Sequence, residues 1–183
     1  IARGRLSGAD GEVAFALLEP GTFMNRSGGP VAAAVDALPI ADPARDLLVV
    51  YDDLDLPRAR LRVRKTGGAG GHNGLADVLA RLGRRDVPRL RFGIGRPPAG
   101  EDPVEYVLGP FADEEETEVA AGVARASEAA RTFLEAGIDA AMNRFNRPAD
   151  ATSGGADAPG RGMPGHPVQS PAAADAAARR RSS

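Results

Sequence analysis

The sequence contains no cysteine, and this absence limits both its chemistry and its setting. Without thiols the chain has neither a disulfide framework nor a thiolate metal site, which favours a reducing compartment. It also lacks any apolar run approaching the roughly 20 residues that span a bilayer, and its first residues do not form a signal-peptide core. We therefore expect a cytoplasmic protein without a membrane segment.

Large apolar residues are missing from the C-terminal segment. Beyond residue 146 there is no Ile, Leu, Phe, Tyr or Trp, and Ala, Gly, Pro, Ser and Asp predominate. Such a segment cannot bury enough apolar surface to offset its ordering entropy. We predict one globular domain over residues 1–146 and a disordered tail over residues 147–183, in which His166 is inert.

Apolar patterning predicts alternating strands and helices before the tail. An unbroken apolar run at 47–51 indicates a central strand covered on both faces, and Leu61 and Val63 alternate with arginines as in a strand with one charged face. The other predicted elements are a buried strand at 13–18, a helix from about 31, a helix at 75–82 ended by Gly83, a strand at 90–94, and helices at 113–135 and 138–145 separated by Gly137. This order favours a single-domain α/β three-layer sandwich, with a mixed, mostly parallel sheet and helices on both faces.

Positive charge is concentrated in one part of the chain. Residues 58–96 contain 11 Lys and Arg against 2 Asp and Glu, an excess of +9, although the whole chain has a formal net charge of -2. Such an excess is typical of a protein that binds a polyanion. The alternative is a solvated face that the acidic residues 113–118 balance in three dimensions.

A glycine-rich stretch at 65–74 contains the single histidine that lies outside the tail, His72. Such a run indicates a bend or a binding loop, because glycine accepts positive φ and lets a ligand approach the backbone. It matches neither common phosphate-loop pattern: Asn73 occupies the place of the third glycine, and no Gly-Lys-Ser/Thr follows. A His-Asn pair directly before a predicted helix favours a site over a simple turn.

Three further polar residues lie where an α/β fold places its chemistry. Asp52 follows the 47–51 strand directly, and sites in such folds collect at the carboxyl ends of strands. A carboxylate there can orient a histidine and stabilise its imidazolium. Asn25 and Asn73 end two different loops and can donate amide N–H groups to a carbonyl or oxyanion. Each of these residues has a simpler alternative role as a turn or capping residue.

Several motifs occur together in a fixed order. They are TFMNRSG at 22–28, LLVVYDDLDLP at 47–57, GGHNGL at 70–75, RLRFGIGRP at 89–97 and YVLG at 106–109. This series resembles the bacterial-type peptidyl-tRNA hydrolases over residues 13–145. The resemblance implies a monomeric α/β enzyme without metal or cofactor, which cleaves the ester between a peptide and the 3′ ribose of tRNA and so recycles tRNA from aborted translation.

The resemblance also assigns roles to individual residues. It implies that Asp52 orients and stabilises a histidine that acts as general base on the attacking water. It implies that Asn25 and Asn73 bind the peptide and the tRNA 3′ end. The remaining implied contacts are Phe23, Met24 and His72 in the substrate groove, and Lys65 and Arg91 on the acceptor-stem phosphates.

The match departs from the family pattern at one place. The family's catalytic histidine follows a first strand, and residues 1–18 resemble only the strands that come after it. His72 corresponds to a different histidine, with a structural or substrate-lining role. We therefore expect that the chain begins inside a longer reading frame, that it lacks the family's first strand and base, and that, expressed alone, it is inactive and poorly folded.

Two other functions fit parts of the sequence. One is a non-catalytic tRNA- or RNA-binding relic that kept the basic segment and lost its general base. The other is a Mg²⁺-dependent phosphatase of the haloacid-dehalogenase type, because an apolar strand precedes Asp53 and Asp55 as in its nucleophile motif. Pro57 stands where that motif requires Thr or Val, which disfavours the second alternative.

Overall fold

The structure is a computed structural model that describes residues 1–8 and 11–147. The predicted tail, residues 147–183, lies outside the described part of the chain except for residue 147, and it stays a prediction. The elements in chain order are β1 (Ala2–Gly8), β2 (Gly11–Leu17), a 3-10 turn (Met24–Arg26), α1 (Gly28–Ala37), α2 (Pro43–Asp46), β3 (Val49–Asp53), β4 (Leu61–Arg64), α3 (Asn73–Leu82), β5 (Arg89–Gly93), α4 (Pro103–Leu108) and α5 (Asp113–Phe145). No helix of the described residues is long and apolar enough to cross a membrane.

The main sheet has three strands in the order β3-β5-β4. β3 runs parallel to β5, with Val49 opposite Arg89, and β4 runs antiparallel to β5, with Leu61 opposite Phe92. The predicted mixed sheet of an α/β fold is therefore confirmed.

The prediction of a central strand at 47–51 is wrong for this sheet. Within the described residues β3 is an edge strand and β5 is the central one. Val50 is 53% exposed, and on this face α5 makes its main contacts with β4 and β5. An apolar run indicates a favourable strand, but the strand's place in the sheet depends on its pairing partners.

The two faces of the sheet carry different residues, because successive side chains of a strand point to opposite sides. On one face Leu61, Val63 and Leu90 form the larger hydrophobic core with Phe133 and other residues of α5. On the other face Val49 and Tyr51 pack with a second core, which consists of Leu75 and Leu79 from α3 and Val87. Helices thus supply the apolar cover of both faces.

Two glycines end helical segments as predicted. Gly83 caps α3 in the left-handed conformation, with φ 64°. Gly137, with φ 80° and ψ 177°, interrupts the helix between Asp113 and Phe145, so that its two halves correspond to the two predicted helices. Both positions use the conformational freedom of glycine at positive φ.

The N-terminal residues form a separate antiparallel pair, β1 and β2, with Ala2 opposite Leu17. The predicted strand at 13–18 is therefore present, but the prediction that it is buried is wrong, since no residue of β2 is fully buried. The pair contacts α5 and is not part of the three-stranded sheet. Its residues therefore stay half exposed, although the sequence of β2 is as apolar as that of a core strand.

Candidate active site

Two loops meet beside the carboxyl end of β3. The 3-10 turn that carries Asn25 contacts α3, whose first residue is Asn73. The contact is close at Gly74, where an added Cβ would lie 2.5 Å from the Met24 sulfur. The Asp77 carboxylate also accepts a 2.7 Å hydrogen bond from the Gly28 N–H group at the start of α1. The fold thus brings together the two loops from which the sequence predicted amide donors.

His72 lies between Asp52 and the start of α3. Its Nδ1 accepts a 3.0 Å hydrogen bond from the Leu75 N–H group, so this nitrogen caps the helix and carries no proton. The proton is therefore on Nε2, which lies 3.4 Å from Oδ1 of Asp52. The ring also packs against Tyr51, at 4.7 Å between centroids. Both nitrogens are engaged, so His72 in this arrangement has no free lone pair with which to take a proton from water.

Asp52 is ionised at neutral pH. The hydrogen bond from His72 lowers the pKa of the Asp52 carboxyl below its ordinary value, although partial burial acts in the opposite direction. Its side chain is 32% exposed, so the carboxylate can accept a further hydrogen bond from a group that approaches the site. This is the property required of a residue that orients a general base.

The other two carboxylates of the DDLD motif already have cationic partners. Asp53 pairs with Arg91 from the central strand, and Asp55 pairs with Arg96. Neither carboxylate is free to act as the nucleophile of a phosphotransferase. Within residues 1–8 and 11–147 no group of three or more His, Asp or Glu is placed to hold a metal ion.

A cleft with basic walls lies beside the glycine-rich stretch. We call it the basic cleft and define it by its lining residues: Tyr51, Asp53, Arg64, Thr66, residues 67–70, Arg89 and Arg91. Arg91 is mostly buried and donates a hydrogen bond to the Asp53 carboxylate, which raises the pKa of the guanidinium. Arg64 is exposed. The acidic start of α5 balances only one arginine of the basic segment among the described residues, since its glutamates pair with Arg58 alone. Other carboxylates pair with Lys65, Arg81, Arg84, Arg91 and Arg96, so much of the positive charge counted in the sequence is offset in the fold. At the cleft, Arg64 and Arg89 have no carboxylate within ion-pair distance among the described residues.

The structure does not bring Lys65 into the basic cleft. Its ammonium lies 2.7 Å from the carboxylate of Asp139, on the C-terminal half of α5. Arg64, the preceding residue, points to the opposite side of the chain and lines the cleft. Lys65 and Arg91, predicted together to bind the acceptor-stem phosphates, therefore lie apart in this arrangement, and their contact with phosphate stays a prediction.

Phe23 and Met24 are apolar side chains left in contact with solvent. They are 79% and 54% exposed, and Phe23 borders a shallow pocket with Gly21, Thr22 and Arg26. Apolar groups exposed together beside polar loops are typical of ligand-binding surfaces. Their contact with substrate stays a prediction.

One residue of this region was missed in the sequence. Arg89 is the single charged residue among the described ones that is buried, and it donates hydrogen bonds to the glycine-rich stretch from below. The signal that could have found it is its place in a strand whose neighbours are apolar. An arginine between Pro88 and Leu90 requires internal partners.

These features define a class of protein. An α/β domain with a carboxylate–imidazole pair, two contacting elements that carry asparagines, exposed apolar groups and a basic cleft is suited to a polyanionic substrate with a hydrolysable carbonyl group.

Comparisons with known proteins identify the family. The family model for peptidyl-tRNA hydrolase matches residues 1–153. A peptidyl-tRNA hydrolase of Chloroflexus aggregans is 50% identical over 131 residues, which cover 72% of this chain and 69% of the relative. One of Symbiobacterium thermophilum is 53% identical over 130 residues, covering 71% of this chain and 68% of the relative. The crystal structure of the Acinetobacter baumannii peptidyl-tRNA hydrolase superposes with a TM-score of 0.68 at 33% identity, covering 79% of this chain and 70% of that one. The chain belongs to the peptidyl-tRNA hydrolase family.

The predicted family and its hydrolase class are thereby confirmed. No finding supports the phosphatase or the non-catalytic relic. The assignments of individual site residues are not tested by these comparisons and stay predictions.

Proposed function

We propose that the function of this protein is hydrolysis of the ester bond of peptidyl-tRNA, which releases the peptide and recycles tRNA from aborted translation. The observation that carries the proposal is the position of Asp52 within a chain of this family. Its carboxylate lies at the end of β3 and beside His72, which caps the helix that begins at Asn73, and this helix contacts the turn that bears Asn25. We further propose that the protein acts as a cytoplasmic monomer without metal or cofactor.

The reaction requires a base for the attacking water. A histidine base removes a proton from water as the oxygen attacks the ester carbonyl, and it then protonates the departing 3′ oxygen of the ribose. Asp52 is ionised and can hold such a histidine in its basic tautomer and stabilise its imidazolium. His72 is a poor candidate for the base, because its Nδ1 caps α3 and its Nε2–H faces Asp52. We assign His72 to support of Asp52 and to the substrate groove.

The other proposed contacts follow from chemistry at each position. The side-chain amides of Asn25 and Asn73 can donate hydrogen bonds to a peptide carbonyl or to the developing oxyanion. The exposed Phe23 and Met24 can contact the apolar parts of the peptide and the terminal base.

Phosphate binding is proposed for the basic cleft. Arg91 carries a charge that Asp53 offsets in part, and Arg64 is exposed at the rim of the cleft. We propose that they bind phosphates of the acceptor stem. Lys65, the residue assigned from the resemblance, stays a candidate clamp residue whose ammonium would have to leave Asp139.

The test is release of the acyl group from N-acetylaminoacyl-tRNA, with free aminoacyl-tRNA as the control substrate. The assay is run on the 183-residue chain and on the natural gene product. We expect cleavage of the N-acetylated substrate, no effect of EDTA, and a loss of about 10²–10⁴-fold in kcat for Asp52→Asn, as when the residue that orients a base is lost. Asp36→Asn, at an exposed position of α1, is the matched control.

Failure of both proteins to release the acyl group would overturn the proposal. An activity that depends on Mg²⁺, or one that is equal for Asp52→Asn and Asp36→Asn, would also contradict it.

A further inference from the structure

Arg89 is as well buried as the apolar residues around it. It is the first residue of β5, the central strand, and is 2% exposed, and its neighbour Leu90 is 1% exposed. The structure shows no carboxylate within ion-pair distance of Arg89 among the described residues. Burial lowers the pKa of its guanidinium, but an arginine remains protonated in a protein, so a full positive charge is held inside the fold.

Backbone carbonyl groups are the partners of this charge. Nη1 donates to the carbonyls of Gly67 and Gly68 at 3.0 and 2.9 Å. Nη2 donates to Arg85 at 2.9 Å, and Nε donates to Val87 at 3.0 Å. A buried charge is tolerated only when hydrogen bonds replace its hydration, and four of the five N–H donors of Arg89 do so here. The guanidinium therefore joins the glycine-rich stretch to the connection between α3 and β5.

These contacts fix the orientation of two peptide groups in the cleft wall. In a planar trans peptide the C=O and N–H groups point in opposite directions. Because the carbonyls of Gly67 and Gly68 point to Arg89, the N–H groups of Gly68 and Ala69 point away from it. Both residues line the basic cleft.

The ends of the same loop are fixed as well. The Gly67 N–H group donates to the Arg85 carbonyl at 3.2 Å, and the His72 N–H group donates to the Ala69 carbonyl at 3.0 Å. The second bond closes a tight turn in which Gly70 and Gly71 have φ of 59° and 86°. Positive φ at both central residues is typical of a type I′ turn. The loop is thus held between Arg89 on one side and the cap of α3 on the other.

We infer that Arg89 is a positioning residue that holds the backbone of residues 67–69 as one wall of the basic cleft. RNA phosphates bind in this cleft, and their binding requires that the wall is held in place. The inference rests on the proposed tRNA substrate. Arg89 lines the basic cleft, but it is 2% exposed and its guanidinium donates to backbone carbonyls, so it is a positioning residue and not a phosphate ligand. It acts through the backbone that it anchors and through a positive charge that no acid of the described residues neutralises.

The experiment compares Arg89→Lys and Arg89→Met in the full chain. Lysine keeps the charge but has three donors on one nitrogen, which cannot reach carbonyls on two separate segments. One measurement is hydrogen exchange of the Gly67 and His72 amides, which close the loop. The other is affinity for an uncharged tRNA acceptor minihelix as a function of salt, which does not depend on ester hydrolysis.

Two further variants serve as controls, one for replacing an arginine of this connection by lysine and one for lower stability. Arg84→Lys changes an arginine of the same connection that pairs with Asp42 and Asp86 at the surface. Phe133→Leu lowers stability from the opposite face of the sheet. We expect both Arg89 variants to raise loop exchange at least tenfold and to weaken minihelix binding at least fivefold, and neither control to do so.

Three results would overturn the inference. Binding by Arg89→Lys equal to that of the unsubstituted chain would show that charge alone matters. Equal loop exchange in Phe133→Leu and Arg89→Met would show that the effect follows global stability. Unchanged loop exchange in both Arg89 variants would show that the anchor is not needed. If the unsubstituted chain itself does not bind the minihelix, the proposed tRNA substrate fails, whereas the exchange measurement still tests the anchor.

Discussion

The two faces of the three-stranded sheet bury neighbouring residues of β5 by different interactions. Leu90 and Arg89 are neighbours on β5, point to opposite faces and are 1% and 2% exposed. Leu90 is buried by apolar contacts with α5, and Arg89 by hydrogen bonds to backbone carbonyls. The first face supplies stability. The second face combines a smaller core with a cleft, and its polar interactions set the shape of the proposed site.

The comparison predicts that damage to the apolar face lowers stability without changing RNA binding. Phe133 is 5% exposed in the larger core. We expect Phe133→Ala to lower the free energy of unfolding by about 3–5 kcal/mol, through lost burial and the cavity left behind. The measurement is urea denaturation, with minihelix binding determined at a temperature where both proteins are folded.

The matched control lies on the same helix. Val123 is 52% exposed, so Val123→Ala should change the free energy of unfolding by no more than about 0.5 kcal/mol. A folded Phe133→Ala protein that binds the minihelix tenfold more weakly would break the comparison, because the apolar face would then influence the cleft directly.

The second prediction concerns the close approach of α1 and α3, which holds the two asparagine loops together. A Cβ at Gly28 would lie 2.4 Å from the Asp77 carbonyl oxygen, whereas one at Gly29 meets nothing within 4 Å. Because backbone cannot yield as a flexible side chain does, we expect Gly28→Ala to cost about 1–3 kcal/mol. Gly29→Ala should be neutral or stabilising by up to about 1 kcal/mol, since alanine is the better helix former.

Thermal and urea denaturation of this pair of variants provide the measurement. Equal stabilities for the two alanine variants would contradict the packing of α1 on α3. If Gly28→Ala also lowers kcat in the acyl-release assay and Gly29→Ala does not, the contact is needed for the relative placement of Asn25 and Asn73.

The sequence predicted local features better than long-range partners. The end of α3 at Gly83 and the break at Gly137 follow from glycine chemistry, which a few neighbouring residues determine. Asp52 at the end of a strand was found in the same way. The edge position of β3 and the separate β1–β2 pair were not found, because pairing depends on residues far away in the chain.

The same limit explains the misplaced charges. A sequence shows how many arginines occur in a segment but not which carboxylate each one meets. Lys65 and Arg91 looked equivalent until the fold paired the first with Asp139 and the second with Asp53. The role of Arg89 depends on carbonyls up to 22 residues away, for which no residue type gives a signal.

The third prediction uses the contrast between these two cations. We expect Arg91→Gln to weaken minihelix binding about 5–10-fold and to reduce the slope of log affinity against log salt by about 0.7–0.9, the loss of one phosphate contact. Lys65→Gln should have a smaller effect, because the ammonium of Lys65 pairs with Asp139. Binding isotherms at salt concentrations from about 50 to about 300 mM measure both quantities.

The substitution at Arg91 leaves the Asp53 carboxylate, which is 10% exposed, without its partner. The double variant Arg91→Gln with Asp53→Asn therefore separates lost phosphate contact from lost stability. A larger effect of Lys65→Gln than of Arg91→Gln would show that Lys65 binds phosphate. The bound RNA would then extend past the sheet edge to α5.

The smallest expected effect tests how firmly Asp52 is held. His72→Asn keeps a side-chain oxygen that can cap α3, but it removes the Nε2–H donor to Asp52, so the pKa of the Asp52 carboxyl should rise. Since that pKa is depressed in the folded protein, the interaction stabilises the fold above the ordinary carboxyl pKa of about 4 and is lost as the pH falls through the lowered value. We expect the variant to be less stable at pH 7 by under about 1 kcal/mol. The part of this difference that comes from Asp52 should vanish in acid.

Carboxyl-carbon NMR titration of Asp52, together with stability measured from pH 7 down to acid, tests this directly. His72→Ala should lose the cap as well and cost about 1 kcal/mol more at every pH, since capping does not depend on the charge of Asp52. A pKa of Asp52 that is the same with and without His72 would mean that the 3.4 Å contact is too weak to matter. Asp52 would then depend on another partner for its orientation. The side chains on the cleft side of the sheet would also depend on one another less than the hydrogen bonds of Arg89 and His72 suggest.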